Sequence, residues 1–443
     1  MKPFHFARAL LHSQFELDRF ASTLDRLEGY DYPSESANKR IHSLRINLER
    51  SKSALEKIEV DYPDDSDGAS DRLNSEYRKL ISYRNQLEIL ERAKSDEVPW
   101  SLVPSIEKLA EPLLPGRDLV ITTTPQMTYM VSWPTDPIDT NITIFLPKLH
   151  RANAFLHILI GHELFHPVVT EFIKTERGKI APAIRDACKK LVPSGLPLFD
   201  PARLDQVVGH SLQAWETGLT ELMCDMGAAS LFGPAALWSL SAFSSTYDQD
   251  HEHGNRTAYY PSWRNRLKTV FEFLRDSEDL PGRMVDLVGQ LRDAKLLSHA
   301  MALEKALTDE ASHCVSASLT FADPFVKIAY DQISKSLSAA REEIRLKTEK
   351  IDDRWTHVID QIPHLLGRFS LNVPPSEIIE PGTLESKSAS LTAIFMAAWL
   401  ERLHMESTGN LKLAGYQLLN RLTLKAIEDA EIKKAFQQWR SAQ

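Results

Sequence analysis

Apolar residues of the first hundred positions recur every three or four places. Ile41, Leu44, Leu48, Leu55 and Ile58 form one such series, and Leu73, Tyr77, Leu80, Leu87 and Leu90 form a second. That spacing predicts two amphipathic helices joined as a hairpin, with the acidic stretch Asp61–Ser70 as the turn. The period then changes. Asp118–Thr124, Met127–Trp133 and Asn141–Leu146 are short runs rich in β-branched and aromatic residues, bounded by Pro125, Pro134 and Pro147, and they predict two or three strands. Helical patterning resumes after Asn153, a candidate N-cap. It returns from about Val207 to Phe232, closed by Gly233-Pro234, and again over Leu267–Leu274. Ala300–Lys350 is long and amphipathic with an interruption near Pro324. A Pro-rich stretch from Leu371 then leads to two last helices at about Ser388–Leu403 and Tyr416–Ser441.

The apolar helix after Asn153 carries His162-Glu163-Leu164-Phe165-His166, an HExxH pattern. Residues four apart share a helix face, so His162 and His166 can offer their imidazoles to one metal ion. Glu163 projects beside them as a general base for a water activated by that ion. The residue types suit Zn²⁺, which neutral imidazole binds well and which lowers the pKa of water toward neutrality. Pro167 cannot donate the helical hydrogen bond to the Glu163 carbonyl, so the helix kinks there or ends soon after the second histidine.

A small sheet leading into an HExxH helix resembles the zincin peptidases. In that family an edge strand holds the substrate backbone, a role open here to any of the three strand-like runs. The resemblance is to the gluzincin branch, which takes its third ligand from a Glu on a second helix, followed four residues later by an Asp. Glu221 and Asp225 match that pattern, and their spacing puts both on one helix face. The match implies Glu221 as the third ligand and Asp225 as the acceptor that orients a ligand histidine. Glu216 competes, but it lies off that face and has no acid four residues on. Asp205 and His210 are further candidates. The metzincin pattern HExxHxxGxxH is absent, because Val169 and Phe172 stand where it needs Gly and His. Past this helix, Tyr259–Arg266 resembles the His-Pro-Pro…Arg element of soluble relatives of the heat-shock and prenyl-protein peptidases. Pro261 and Arg266 match it, and Tyr260 replaces its His. The resemblance implies Tyr260 as an oxyanion donor, with Tyr259 and His253 close enough in sequence to serve instead.

Composition narrows the rest. With 443 residues, the chain is long enough for two or three lobes, and a net charge of −9 argues against a broad nucleic-acid surface. The longest apolar stretches are far shorter than the about 20 residues a membrane helix needs. The opening Met-Lys-Pro-Phe-His-Phe lacks the apolar stretch of a secretory signal. Cys188, Cys224 and Cys314 have no CxxC spacing, which argues against a disulfide framework, and Cys224 reads as a small core residue. The pairs His251/His253 and His313/Cys314 lack ligand spacing and read as loop and core.

The expected architecture is α+β and mostly α: a helical hairpin lobe over 1–98, a zincin-like core with a small sheet over 99–285, and a helical lobe over 286–443. The expected function is a cytoplasmic zinc endopeptidase. His162, His166 and Glu221 would hold the metal, Glu163 and Tyr260 would act in catalysis, and Asp225 would support a ligand. A protein or peptide substrate is implied, with no nucleic acid and no membrane, and the helical lobes offer room for a protein partner. The alternative is a non-catalytic or signal-gated regulatory protein built on the same fold.

Overall fold

The computed structural model describes residues 3–133, 141–191, 201–247, 260–276, 280–315, 323–349, 351, 354–379 and 386–442. Its contacts gather residues 1–107 and 116–151 into one compact unit, and 108–115 with 152–443 into a second. This division falls elsewhere than the boundaries at 98/99 and 285/286 read from the sequence, and the packing explains why.

In the first unit α1 (Pro3–Glu28), α2 (Glu35–Asp61) and α3 (Ser66–Glu91) pack together, so the expected hairpin is a three-helix bundle. Phe6, Leu10, Leu17, Leu24 and Leu27 of α1 are buried with Leu44 and Leu55 of α2 and Leu73 and Leu90 of α3. The first of these series has the same helical spacing as the other two. Most of the acidic stretch is not a turn. Asp65 caps α3 by accepting the Gly68 amide at 2.9 Å, so the residues after it begin the helix.

The helix α4 (Leu102–Ala110) precedes a sheet of β1 (Asp118–Thr124), β2 (Met130–Ser132) and β3 (Asn141–Pro147), in the order β1-β3-β2. β3 runs parallel to β1, pairing Asp118 with Asn141, and antiparallel to β2, pairing Met130 with Phe145. The central position of β3 leaves β1 and β2 as the edge strands among the described residues. Val120 of β1 lies in the core of the three helices, and the Thr122 hydroxyl donates to the Ile89 carbonyl at 3.0 Å. Buried Arg40 of α2 donates to the Asn141 side chain, the Thr143 hydroxyl and the Ile142 carbonyl. The sheet therefore belongs with the N-terminal helices.

The second unit is almost entirely helical. It holds α5 (Ala154–His157), α6 (Ile160–Leu191), α7 (Pro201–Phe232), α8 (Pro234–Tyr247), α9 (Trp263–Asp276), α10 (Leu280–Asp293), α11 (Leu297–Val315), α12 (Pro324–Glu349) and α13 (Arg354–Ser370). A two-stranded ribbon of β4 (Glu377–Ile379) and β5 (Ser386–Ser388) follows, and then α14 (Leu391–Ser407) and α15 (Leu413–Ser441). α7 packs against α6, α9 and α12, while α14 packs against α11, α13 and α15. Every residue from Leu391 to Leu400 is buried, as an almost wholly apolar stretch of helix requires. Contacts from α9 to α10 and α11 bind the segment after residue 285 to the helices before it. No helix among the described residues is long and apolar enough to cross a membrane.

Candidate metal centre

Two long helices of the second unit, α6 and α7, carry the candidate site, and glycines set how closely they approach. A Cβ on Gly161 of α6 would stand 2.8 Å from the Phe232 ring of α7. A Cβ on Gly227 of α7 would stand 2.2 Å from the Phe165 ring of α6. Each helix thus lays a buried aromatic ring on bare backbone of the other, at the HExxH turn of α6 and just past Asp225 on α7.

The helix before the motif is not continuous. Leu159, Gly161 and His162 donate to carbonyls three residues back, so a tight turn separates α5 from α6. Asn153 makes no side-chain cap. The Ala154 amide instead donates to the Asn420 side chain of α15 at 2.8 Å. Pro167 neither ends α6 nor stops it near the motif, since the helix runs on to Leu191.

His162 and His166 lie on one face of α6, their ring centroids 5.0 Å apart and their planes at 78°. Nδ1 of His162 lies 2.7 Å from the Asp225 carboxylate. In the neutral imidazole that contact puts the proton on Nδ1 and leaves the Nε2 lone pair available. Asp225, fully buried, is held in turn by Arg266 of α9, which donates from Nε and a terminal nitrogen, each at 2.7 Å. Arg266 also lies over the Trp263 ring at 4.4 Å. Oxygens of Glu221 stand 3.4 Å from Nε2 of His162 and 3.8 Å from Nε2 of His166. A Glu163 oxygen is 3.8 Å from the same His166 nitrogen.

Two features of this arrangement suit a divalent cation. Ligands about 2.0–2.2 Å from a tetrahedral zinc lie roughly 3.3–3.6 Å from one another, close to the spacing of Glu221 from the two imidazoles. Charge points the same way. Glu163, Glu221 and Asp225 are all buried and are met by one buried guanidinium, Arg266. With both imidazoles neutral, as metal ligation requires, and Glu163 ionised, three carboxylates against one cation leave two negative charges, which a divalent ion would balance.

The titration of the cluster follows from this field. Burial opposes charge on His162, but Asp225 and Glu221 overcome it and hold its pKa up to about 10. Burial, and then the charge of His162, push His166 down to about 4. Burial raises Glu163 to about 7, aided by the neighbouring Glu221 and opposed by His162. Burial also works against an ionised Asp225, yet Arg266 beside it keeps its pKa down at about 2.

The competing candidates are engaged elsewhere. Glu216 pairs with Arg177 at 3.5 Å, Asp205 pairs with Arg185, and His210 meets Asp323 at 3.1 Å. Tyr260, just ahead of α9, is exposed, and the charge of Glu221, followed by burial, raises its phenol pKa. It therefore sits in the field of the cluster. Tyr259, His251 and His253 lie outside the described residues, and His313 and Cys314 fall within α11.

Two neighbours have no site role in the sequence reading, which takes Cys224 as a small core residue. Cys224 is buried, and its sulfur and donor nitrogens of His162 and His166 all lie within 4.8 Å of one another. Its place three residues after Glu221, on the same helix face, was the available signal. Tyr330 of α12 is also buried, and its hydroxyl stands 3.3 Å from where a Cβ on Gly218 would be. Burial raises its pKa, with the charges of Arg266 and Glu221 also acting on it. Nothing in the local sequence of α12 marks it.

No family model, no curated protein and no solved structure matches this chain.

Proposed function

We propose that this chain is a zinc-dependent endopeptidase of zincin type whose centre lies between α6 and α7. The observation that carries the reading is that Glu221 oxygens stand 3.4 Å from Nε2 of His162 and 3.8 Å from Nε2 of His166, with a Glu163 oxygen 3.8 Å from the latter. Zinc held there supplies Lewis acidity for a peptide carbonyl and for water.

The remaining work falls to side chains. Asp225 fixes the tautomer of His162, and Arg266 fixes Asp225. The Glu163 carboxylate, its pKa raised to about 7, takes a proton from the attacking water and returns it to the leaving amine. Tyr260 donates to the oxyanion as the carbonyl carbon becomes tetrahedral. The substrate is a protein or peptide, and residence is cytoplasmic, a placement supported by the free buried thiols of Cys188 and Cys224.

The test is hydrolysis of a proteome-derived peptide mixture by zinc-loaded protein, with new termini counted by mass spectrometry. Wild type is expected to cut. Glu163→Gln is expected to keep its zinc and lose at least about 10²-fold in rate, the scale of general-base catalysis. Equal cutting by both proteins would show that Glu163 is not the base, and no cutting by either would favour a non-catalytic regulatory role.

A further inference from the structure

Cys224 has no task in the chemistry above, yet it stands in the centre of it. It is a free thiol, fully buried, and no described residue hydrogen-bonds its sulfur. An unpartnered thiol is unremarkable in an apolar core. Here, however, the neighbours are imidazoles: the sulfur and the donor nitrogens of His162 and His166 lie within 4.8 Å of one another. Its helix position is three residues after Glu221 and one before Asp225, so α7 presents all three side chains to the same α6 turn.

We propose that Cys224 is a ligand of this metal centre, completing a His162, His166, Glu221 and Cys224 set that is closed at rest. The inference rests on the metal-centre reading and adds regulation to it. Four protein ligands satisfy tetrahedral zinc, whereas a catalytic zinc keeps one position for water. Thiolate is also the soft donor that zinc holds well. Closing breaks the S–H bond: the sulfur electron pair goes to the metal and the proton leaves to solvent. Opening reverses this: the metal–sulfur bond breaks, the thiolate regains a proton, and a water molecule takes the position. The resting centre is therefore mostly closed, and release of the Cys224 side chain alone, with Glu221 still in place on α7, opens it.

Cobalt is the probe. Metal-free protein is titrated with Co²⁺, and absorption is read in the near ultraviolet, where sulfur-to-cobalt charge transfer appears, and in the visible, where tetrahedral d–d bands appear. One equivalent is expected to produce both features in wild type. Cys224→Ser, nearly the same size, is expected to lose the near-ultraviolet band, keep cobalt, and hydrolyse peptides faster than wild type once loaded with zinc. Visible bands without charge transfer in wild type, or a charge-transfer band that survives in Cys224→Ser, would overturn the assignment of the thiol while leaving the metal centre standing. Failure of wild type to bind cobalt at all would overturn both.

Discussion

Arg266 and Asp225 are a buried pair joined by two short hydrogen bonds; Asp225 acts on the centre through His162, and Arg266 also reaches Glu221 at 3.5 Å. Replacing Asp225 by Asn keeps the shape and removes the charge that sets the imidazole. Zinc affinity measured by calorimetry is expected to fall about 10–100-fold, as changes in the groups behind a ligand usually cause. The ligands themselves separate more sharply. Glu221→Ala is expected to abolish tight binding, whereas Glu216→Ala, which loses only a surface pair with Arg177, is expected to bind like wild type. The reverse order would show that the wrong face of α7 has been assigned. At this scale much was legible, because HExxH and ExxxD each need only one helix face. Cys224 and Tyr330 were not legible. A cysteine in an apolar helix looks the same whether or not a metal is near, and Tyr330 reaches the cluster from a helix more than a hundred residues away in sequence.

Between elements, the approach of α6 to α7 decides whether the ligands meet. A methyl group at Gly227 has no room beside the Phe165 ring. Gly227→Ala is expected to destabilise the fold by about 1–3 kcal/mol in denaturant unfolding, the usual cost of overpacking. Phe165→Leu in the same chain should recover part of that loss, since the two positions touch. Independent, additive losses would contradict the proposed lock.

A second element-level device ties the β4–β5 ribbon to α15. Glu377 accepts from Lys433 at 2.6 Å and also meets Ser386 and Arg368. The Lys433 and Ser386 hydrogen bonds hold its pKa near 2, below the ordinary 4.5. A depressed carboxylate stabilises the fold above its unfolded pKa and loses that contribution as pH falls from about 4.5 toward 2. The pair is partly exposed, so the effect is expected to be below about 1 kcal/mol. Lys433→Met should flatten that part of the stability-versus-pH curve, and an unchanged slope would show that the pair is idle. The period of the apolar pattern located most helices, but not the tight turn between α5 and α6. An apolar run reads alike whether its bonds span three residues or four.

For the whole molecule, the class of structure is more legible in the pattern of residues than its division. Mostly helical with a small sheet is what the periods predict, and Phe6, Leu10, Leu17, Leu24 and Leu27 mark α1 by the same spacing as its neighbours. Nearness in sequence to His162 groups the sheet with the HExxH helix. Its partners are instead Arg40, Ile89 and the three-helix core, and long-range contacts of that kind leave no mark on local pattern. The candidate centre, by contrast, is built wholly within the second unit, from α6, α7 and α9.

The central claim is that one metal ion sits between α6 and α7. Anomalous diffraction at the zinc edge, from crystals of zinc-loaded protein, locates such an ion without reference to activity. The expected result is a single strong peak per chain about 2.0–2.2 Å from Nε2 of His162, Nε2 of His166 and an oxygen of Glu221. A peak at another set of residues, or none at these three with the protein saturated in zinc, would contradict it.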